Sequence, residues 1–168
     1  MIFKPWLQHK IKKAQKLNKS LRQSVPYKTA NKFGVVFCND EQSKIEAADK
    51  LMALLKMDGK SVKTLAYERN NTIKHLPYDT FSKSNVGFWG SFNGKQVLDF
   101  IAAEYDFLIC LDEQPNDLIK SILANSRAKC RVGRYKENSE PSFELLLEPG
   151  NQQQDWVDTI YQYLKIIA

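Results

Sequence analysis

The chain has 168 residues, 43% of them hydrophobic and 26% charged, which fits one soluble globular domain with an appendage and excludes a disordered chain. Its formal charge of +6 is unevenly placed: residues 1–32 hold nine Lys or Arg and no acid, while the rest holds sixteen basic against nineteen acidic residues, a net −3. Such asymmetry points to an anionic partner, nucleic acid or a membrane surface, and excludes reading the basic pI as a property of the whole fold. The plainer alternative is that the basic segment lies on the acidic body and neutralises it.

No stretch approaches the roughly 18 apolar residues that a membrane span requires. Charges from Lys4 onward interrupt any secretory core. Cys38, Cys110 and Cys130 are in no CxxC spacing and each falls in an expected buried strand. Reduced core thiols in a cytoplasmic protein are the natural interpretation, with peripheral membrane contact as the alternative location.

Residues 4–24 have helical period. Phe3, Leu7, Ile11, Ala14, Leu17 and Leu21 recur at spacings of three and four, on one face within about 120°, with Pro5 tolerated in the first turn. Trp6 adjoins that face. Lys4, Lys12, Lys13, Lys16, Lys19 and Arg22 fall on the opposite half, and Lys10 alone sits inside the apolar stripe, where it must snorkel or find an acid. Pro26 biases Val25 to extended geometry, so 25–32 reads as a short linker.

FGVVFC (33–38) has the continuous apolar character of a strand covered on both faces. Asn39 or Asp40 can cap the helix expected over 42–58, and Gly59 can close it. SVKTLAY (61–67) is a second strand, and 76–82 a short third at an edge. Residues 83–95 form a loop with three glycines and three aromatics, Phe88, Trp89 and Phe92. A helix over 95–104 leads to the strand YDFLICLD (105–112). Pro115 opens a helix over 115–126, AKCRVGRY (128–135) is a strand, and SFELLLE (142–148) is a last one at an edge. The final helix, 152–167, buries Trp156, Ile160, Tyr163, Leu164 and Ile167.

Strands alternating with helices predict an α/β fold: a three-layer, doubly wound, mostly parallel Rossmann-like sheet, preceded by the basic amphipathic helix. The expected organisation is 1–24 helix, 25–32 linker and 33–168 domain, with strand order 3-2-1-4-5. The crevice at the strand carboxyl ends is the default site of such folds. Asn39, Asp40, Asn85, Trp89, Asp112 and Arg134 are its candidate residues. The plainer reading makes Asn39, Asp40 and Asp112 caps and turn residues.

Signature motifs exclude several chemistries. The first strand is followed by CNDEQSK, without the glycines that let a dinucleotide pyrophosphate approach the backbone, and no GxxxxGK[ST] is present. His9 and His75 are the only histidines, in the arm and a loop, so neither a histidine metal site nor a Ser-His-Asp triad can form with strand-end residues. No metal, cofactor or catalytic residue is assigned.

The basic helix, the FGVVF strand, the tract SKSNVGFWGSFNGKQVLDFIAAEYDFLICLD and then ILANSRAKCRVGRY together resemble a Bacteroidetes family of small uncharacterised proteins, a domain of unknown function. That resemblance implies no activity. Residues 105–134 are also similar in pattern to the strand-helix-strand unit in the N-terminal half of heptosyltransferase-type glycosyltransferases, a likeness of fold only.

The leading expectation is a non-catalytic binding module whose helix contacts RNA or the ribosome through Lys4, Lys10, Lys12, Lys13, Lys16, Lys19 and Arg22. Attachment to an anionic membrane face through Phe3, Trp6, Leu7, Ile11, Leu17 and Leu21 is the alternative. The stripe could equally dock on a protein partner or on this domain itself. A nucleotide- or sugar-binding enzyme using the strand-end crevice is the third reading.

Overall fold

The apolar run after the basic segment is indeed a strand buried on both sides. In the computed structural model, which describes residues 4–69, 75–137, 142–149 and 155–167, it forms β1 (Lys32–Cys38) at the centre of the sheet. The other strands are β2 (Ser61–Tyr67), β3 (Asp79–Phe81), β4 (Phe107–Cys110), β5 (Cys130–Arg134) and β6 (Leu145–Leu147). All pairings are parallel and the order is β3-β2-β1-β4-β5-β6, so the expected 3-2-1-4-5 core is present with β6 added at the edge. Val36 pairs with Leu65 on one side and Cys110 on the other, which sets the register of the central strands.

Alternation along the strands divides the interior into two cores. Val36, Cys38, Leu65, Leu108 and Cys110 face a core with α3 (Lys95–Ala102) and α4 (Asp117–Asn125). Phe33, Val35, Phe37, Phe107 and Ile109 face another with α2 (Gln42–Met57) and α5 (Trp156–Ile166). This is the three-layer, Rossmann-like arrangement.

Helix α1 (Lys4–Leu17) adds to the first core, packing on α4. Leu7, Ile11 and Ala14 are buried there, so the inner part of the stripe docks on the chain's own domain. Burial of side chains the size of Leu7 and Ile11 stabilises by roughly 1.5–3 kcal/mol each. Gly90 makes the approach possible: its φ is +71°, and a Cβ there would stand 2.9 Å from Leu7 Cδ1.

The helix is shorter than its period suggests. It stops at Leu17 because the Asn18 side chain turns to donate to the Ala124 carbonyl of α4 at 2.9 Å, and a 3₁₀ turn over Lys19–Leu21 follows. The expected linker is not free chain either: Val25, Tyr27 and Ala30 are buried in the second core. Tyr27 N–H donates to the Ile167 carbonyl, and Lys60 Nζ donates to the carbonyls of Tyr27 and Ala30 at 2.9 and 2.7 Å. Residues 4–31 thus run from one face of the sheet to the other.

Smaller boundaries also moved. Neither Asn39 nor Asp40 caps α2, whose N-cap is Glu41 without a side-chain bond. Gly59 does end that helix, at φ +73°, with Lys60 N–H reaching the Leu55 carbonyl. Helix α4 starts two residues beyond Pro115, because Asn116 caps it by accepting from Leu118 and Ile119 N–H. In α5 it is Val157 and Thr159 that join Ile160 and Leu164 inside, while Tyr163 is exposed; residues 152–154 of the expected helix lie outside the described ones.

Candidate functional site

The carboxyl ends of β1 and β4 meet at the topological switch point, and charged side chains of the fold itself fill that position. Asp112 is 3% exposed; its Oδ2 accepts from Cys38 N–H at 2.9 Å and its Oδ1 from Lys44 Nζ at 2.8 Å. Lys44 also reaches Asp40 Oδ1 at 2.7 Å, bridging the two acids. Burial pushes the Asp112 carboxyl upward and Lys44 only partly offsets it, whereas for the more open Asp40 the Lys44 ammonium outweighs burial and holds the carboxyl below its usual range. Asn39 uses its N–H on the Tyr67 carbonyl at 2.8 Å. The strand-end acids therefore tie β1, β4 and α2 together.

The remaining crevice candidates have contacts of their own. Asn85 forms a reciprocal capping box with Ser82 around the 3₁₀ turn Lys83–Asn85. Arg134 lies over the Trp156 ring, 5.5 Å from its centroid, with Glu113 3.7 Å away. Trp89 is 56% exposed and packs edge-on against Trp6 and Phe88 at centroid separations of 5.6 and 4.8 Å. The three thiols are buried and unpaired in disulfides, and burial pushes Cys38 up to about 12, Cys130 up to about 11 and Cys110 well above its usual value. They are protonated at neutral pH.

A cavity of about 490 Å³ opens beside the filled switch point, over the end of β2. Tyr67 lines it from the end of that strand and Arg69 from just beyond it, and Lys83, Val86 and Phe88 from the segment after β3. The start of α4 contributes Asn116, Asp117 and Leu118, and α1 contributes Lys4 and Leu7. Lys4 stands 3.9 Å from Asp117 and Arg69 3.9 Å from Asp40, while Lys83 has no acid within salt-bridge range among the described residues. Of these residues only Lys4, Leu7 and Phe88 stood out in the sequence. Arg69 and Lys83 follow no motif, and they meet Lys4 only because β2, the loop and α1 converge.

The outer face of α1, with the 3₁₀ turn that follows it, is the second candidate surface. Lys12, Lys13, Lys16 and Lys19 are exposed, and among the described residues no acid lies within salt-bridge range of them. Lys10 resolves its position in the stripe by donating to Ser91 Oγ at 2.8 Å. Arg22 does not belong to this face. Its side chain is 7% exposed, it donates to the Ala128 carbonyl, and Glu144 lies 3.9 Å away. Burial, reinforced by the charge of Arg131 and opposed by Glu144, lowers the Arg22 guanidinium to about 10. Of the apolar set, Trp6 (42%) and Leu17 (69%) remain exposed and Leu21 is half-buried, while Phe3 lies outside the described residues.

The sequence matches a family of unknown function, DUF6913, over residues 4–167. The chain belongs to that family. No curated protein matches it. The match begins in α1 and ends in the last residue of the described C-terminal segment, so it spans the N-terminal helix as well as the sheet domain. Among the described residues no helix is long and apolar enough to cross a membrane, and no group of His, Cys, Asp and Glu could hold a metal ion.

Proposed function

We propose that this family member is a non-catalytic module that binds RNA on the outer face of α1. One observation carries the reading. The helix is fixed by its inner side while Lys12, Lys13, Lys16 and Lys19 project outward with no acid within salt-bridge range among the described residues. Had the basic segment served only to neutralise the body, these ammonium groups would meet carboxylates. Instead, among the described residues of the basic segment, only Lys4 and Arg22 approach one, each at 3.9 Å. A rigid row of cations can neutralise successive phosphates with little ordering cost. Trp6 and Trp89, exposed at one end of the row, offer flat faces for unpaired bases.

Membrane attachment draws less support. Of the residues expected at the lipid interface, Trp6 and Leu17 are exposed, but Leu7 and Ile11 are inside the protein, and the helix would have to undock to offer them.

Gel retardation of a single-stranded RNA tests the proposal. With four phosphates neutralised, log K against log salt should fall with a slope of about −3. A Lys12→Ala/Lys13→Ala/Lys16→Ala variant should bring the slope to about −1. Absence of retardation at low salt, or an unchanged slope in the variant, would overturn the reading. Flotation with anionic vesicles by the intact protein, without RNA retardation, would establish the membrane alternative in its place.

A further inference from the structure

The cavity over the end of β2 is independent of the outer face of α1 and differs from it in kind. It is concave, with a volume of about 490 Å³, within the range of small-ligand pockets. It also lies at the carboxyl edge of a parallel sheet, where such folds hold their ligands. Its charge is unbalanced. Lys4, Arg69 and Lys83 converge on it from three different segments, and among the described residues Asp117 is the one carboxylate in its lining. Neither of the two acid contacts of these cations is closer than 3.9 Å, against 2.7 and 2.8 Å for Lys44 in the filled switch point alongside.

Two features refine the chemistry. The start of α4 is not itself the anion receptor, because Asn116 already accepts from its Leu118 and Ile119 N–H groups and Asp117 adds a negative charge there. The anion must therefore be met by side chains, which suits a mobile, multiply charged oxyanion held by a guanidinium and ammonium groups. Part of the lining is aromatic and apolar: Phe88, 55% exposed, is joined there by Leu7, Val86 and the buried Tyr67. A flat ring can lie there while its phosphate reaches Arg69 and Lys83.

We propose that this cavity is a binding site for a mononucleotide, a phosphate monoester attached to a planar base, with Arg69, Lys83 and Lys4 on the phosphate and Phe88 against the base. No bond is made or broken in this assignment.

The test is isothermal titration of the full-length protein with AMP, ribose 5-phosphate, adenosine and inorganic phosphate. AMP should bind more tightly than any of the other three. Arg69→Ala/Lys83→Ala should weaken AMP by about tenfold or more, since it removes two charge-assisted contacts. Both side chains are exposed, so the variant should keep its fold, which its thermal midpoint would check. Phe88→Ala should bring AMP down towards ribose 5-phosphate. Lys12→Ala/Lys16→Ala, on the outer face of α1, should leave AMP binding unchanged. Three results would overturn the assignment: no heat with AMP, equal affinity for adenosine, or AMP affinity unaltered in Arg69→Ala/Lys83→Ala. RNA retardation and AMP binding use different residues, so either can fail without the other.

Discussion

Two populations of cations divide this molecule. Lys44, Lys129 and Arg131 are held by carboxylates at 2.8, 2.8 and 2.6 Å, and each joins segments distant in sequence. Lys12, Lys13, Lys16 and Lys19 have no acid within that reach among the described residues, although the body is net acidic. The contrast teaches that the charge excess of the first 32 residues was not absorbed when α1 docked. Apolar contacts brought the helix in, and its lysines were left facing solvent. Held cations should matter to stability and little to partners; outward ones should show the reverse.

The largest effect is expected where a held pair is deepest. Asp112→Ala leaves Lys44 and the Cys38 N–H without their buried acceptor, and breaking such a pair should cost about 3 kcal/mol in urea unfolding. A cost below about 0.5 kcal/mol would place Lys44 in the same class as the α1 lysines.

Next comes the joint between the two populations. Gly90→Ala puts a Cβ at positive φ and 2.9 Å from Leu7 Cδ1, so it opposes docking of α1 and should cost about 2 kcal/mol. Because it leaves every lysine in place, it separates charge from placement. RNA affinity should fall with it if rigid presentation matters, and should stay unchanged if loose charge suffices.

A smaller effect belongs to Asp106, which accepts from the N–H groups of Asn31 and Lys32 at 2.8 and 3.1 Å and from Lys129 Nζ at 2.8 Å. Burial pushes this carboxyl upward, but these donors outweigh it and hold its pKa below the usual value. A depressed folded-state pKa contributes stability above the unfolded value of about 4, and that contribution is lost as pH falls through the folded value. Asp106→Asn should therefore lower stability by about 1–2 kcal/mol at neutral pH and flatten the acid limb of the stability curve. Equal slopes for the two proteins below pH 5 would show that Asp106 is not a held partner.

Much of this was legible in the sequence, for reasons that also explain what was not. Continuous apolar runs such as 33–38 and the alternation of strands with helices determine a parallel doubly wound sheet, and the family match over 4–167 is consistent with the resemblance seen in the same tracts. Helical period located the α1 stripe and isolated Lys10, but it presumes that the helix continues. Once Asn18 bonds to Ala124 the chain leaves the helix, and Arg22 turns inward instead of joining the basic row. Period also could not say what the stripe would meet, because Gly90 and α4 are more than 70 residues away. Lys44 lies four residues from Asp40 and could have been paired with it, yet Asp112 joins only through the β1–β4 pairing. The cavity over the end of β2 has no local signature at all, since Lys4, Arg69 and Lys83 are scattered along 80 positions.

The smallest expected effect is the most informative about function. Lys12→Ala/Lys13→Ala/Lys16→Ala removes three exposed side chains with no acid within salt-bridge range among the described residues, and alanine is at least as good a helix former as lysine. Folding stability should stay within about 0.5 kcal/mol of the parent. If α1 were fixed partly by attraction of these charges to the acidic body, the triple change would destabilise the protein, and raising salt would destabilise the parent in the same way. Docking through Leu7, Ile11 and Ala14 predicts neither. A parent whose unfolding midpoint is unmoved by moderate salt, beside an RNA affinity that falls steeply with it, would assign the outward charges to a partner and not to the fold.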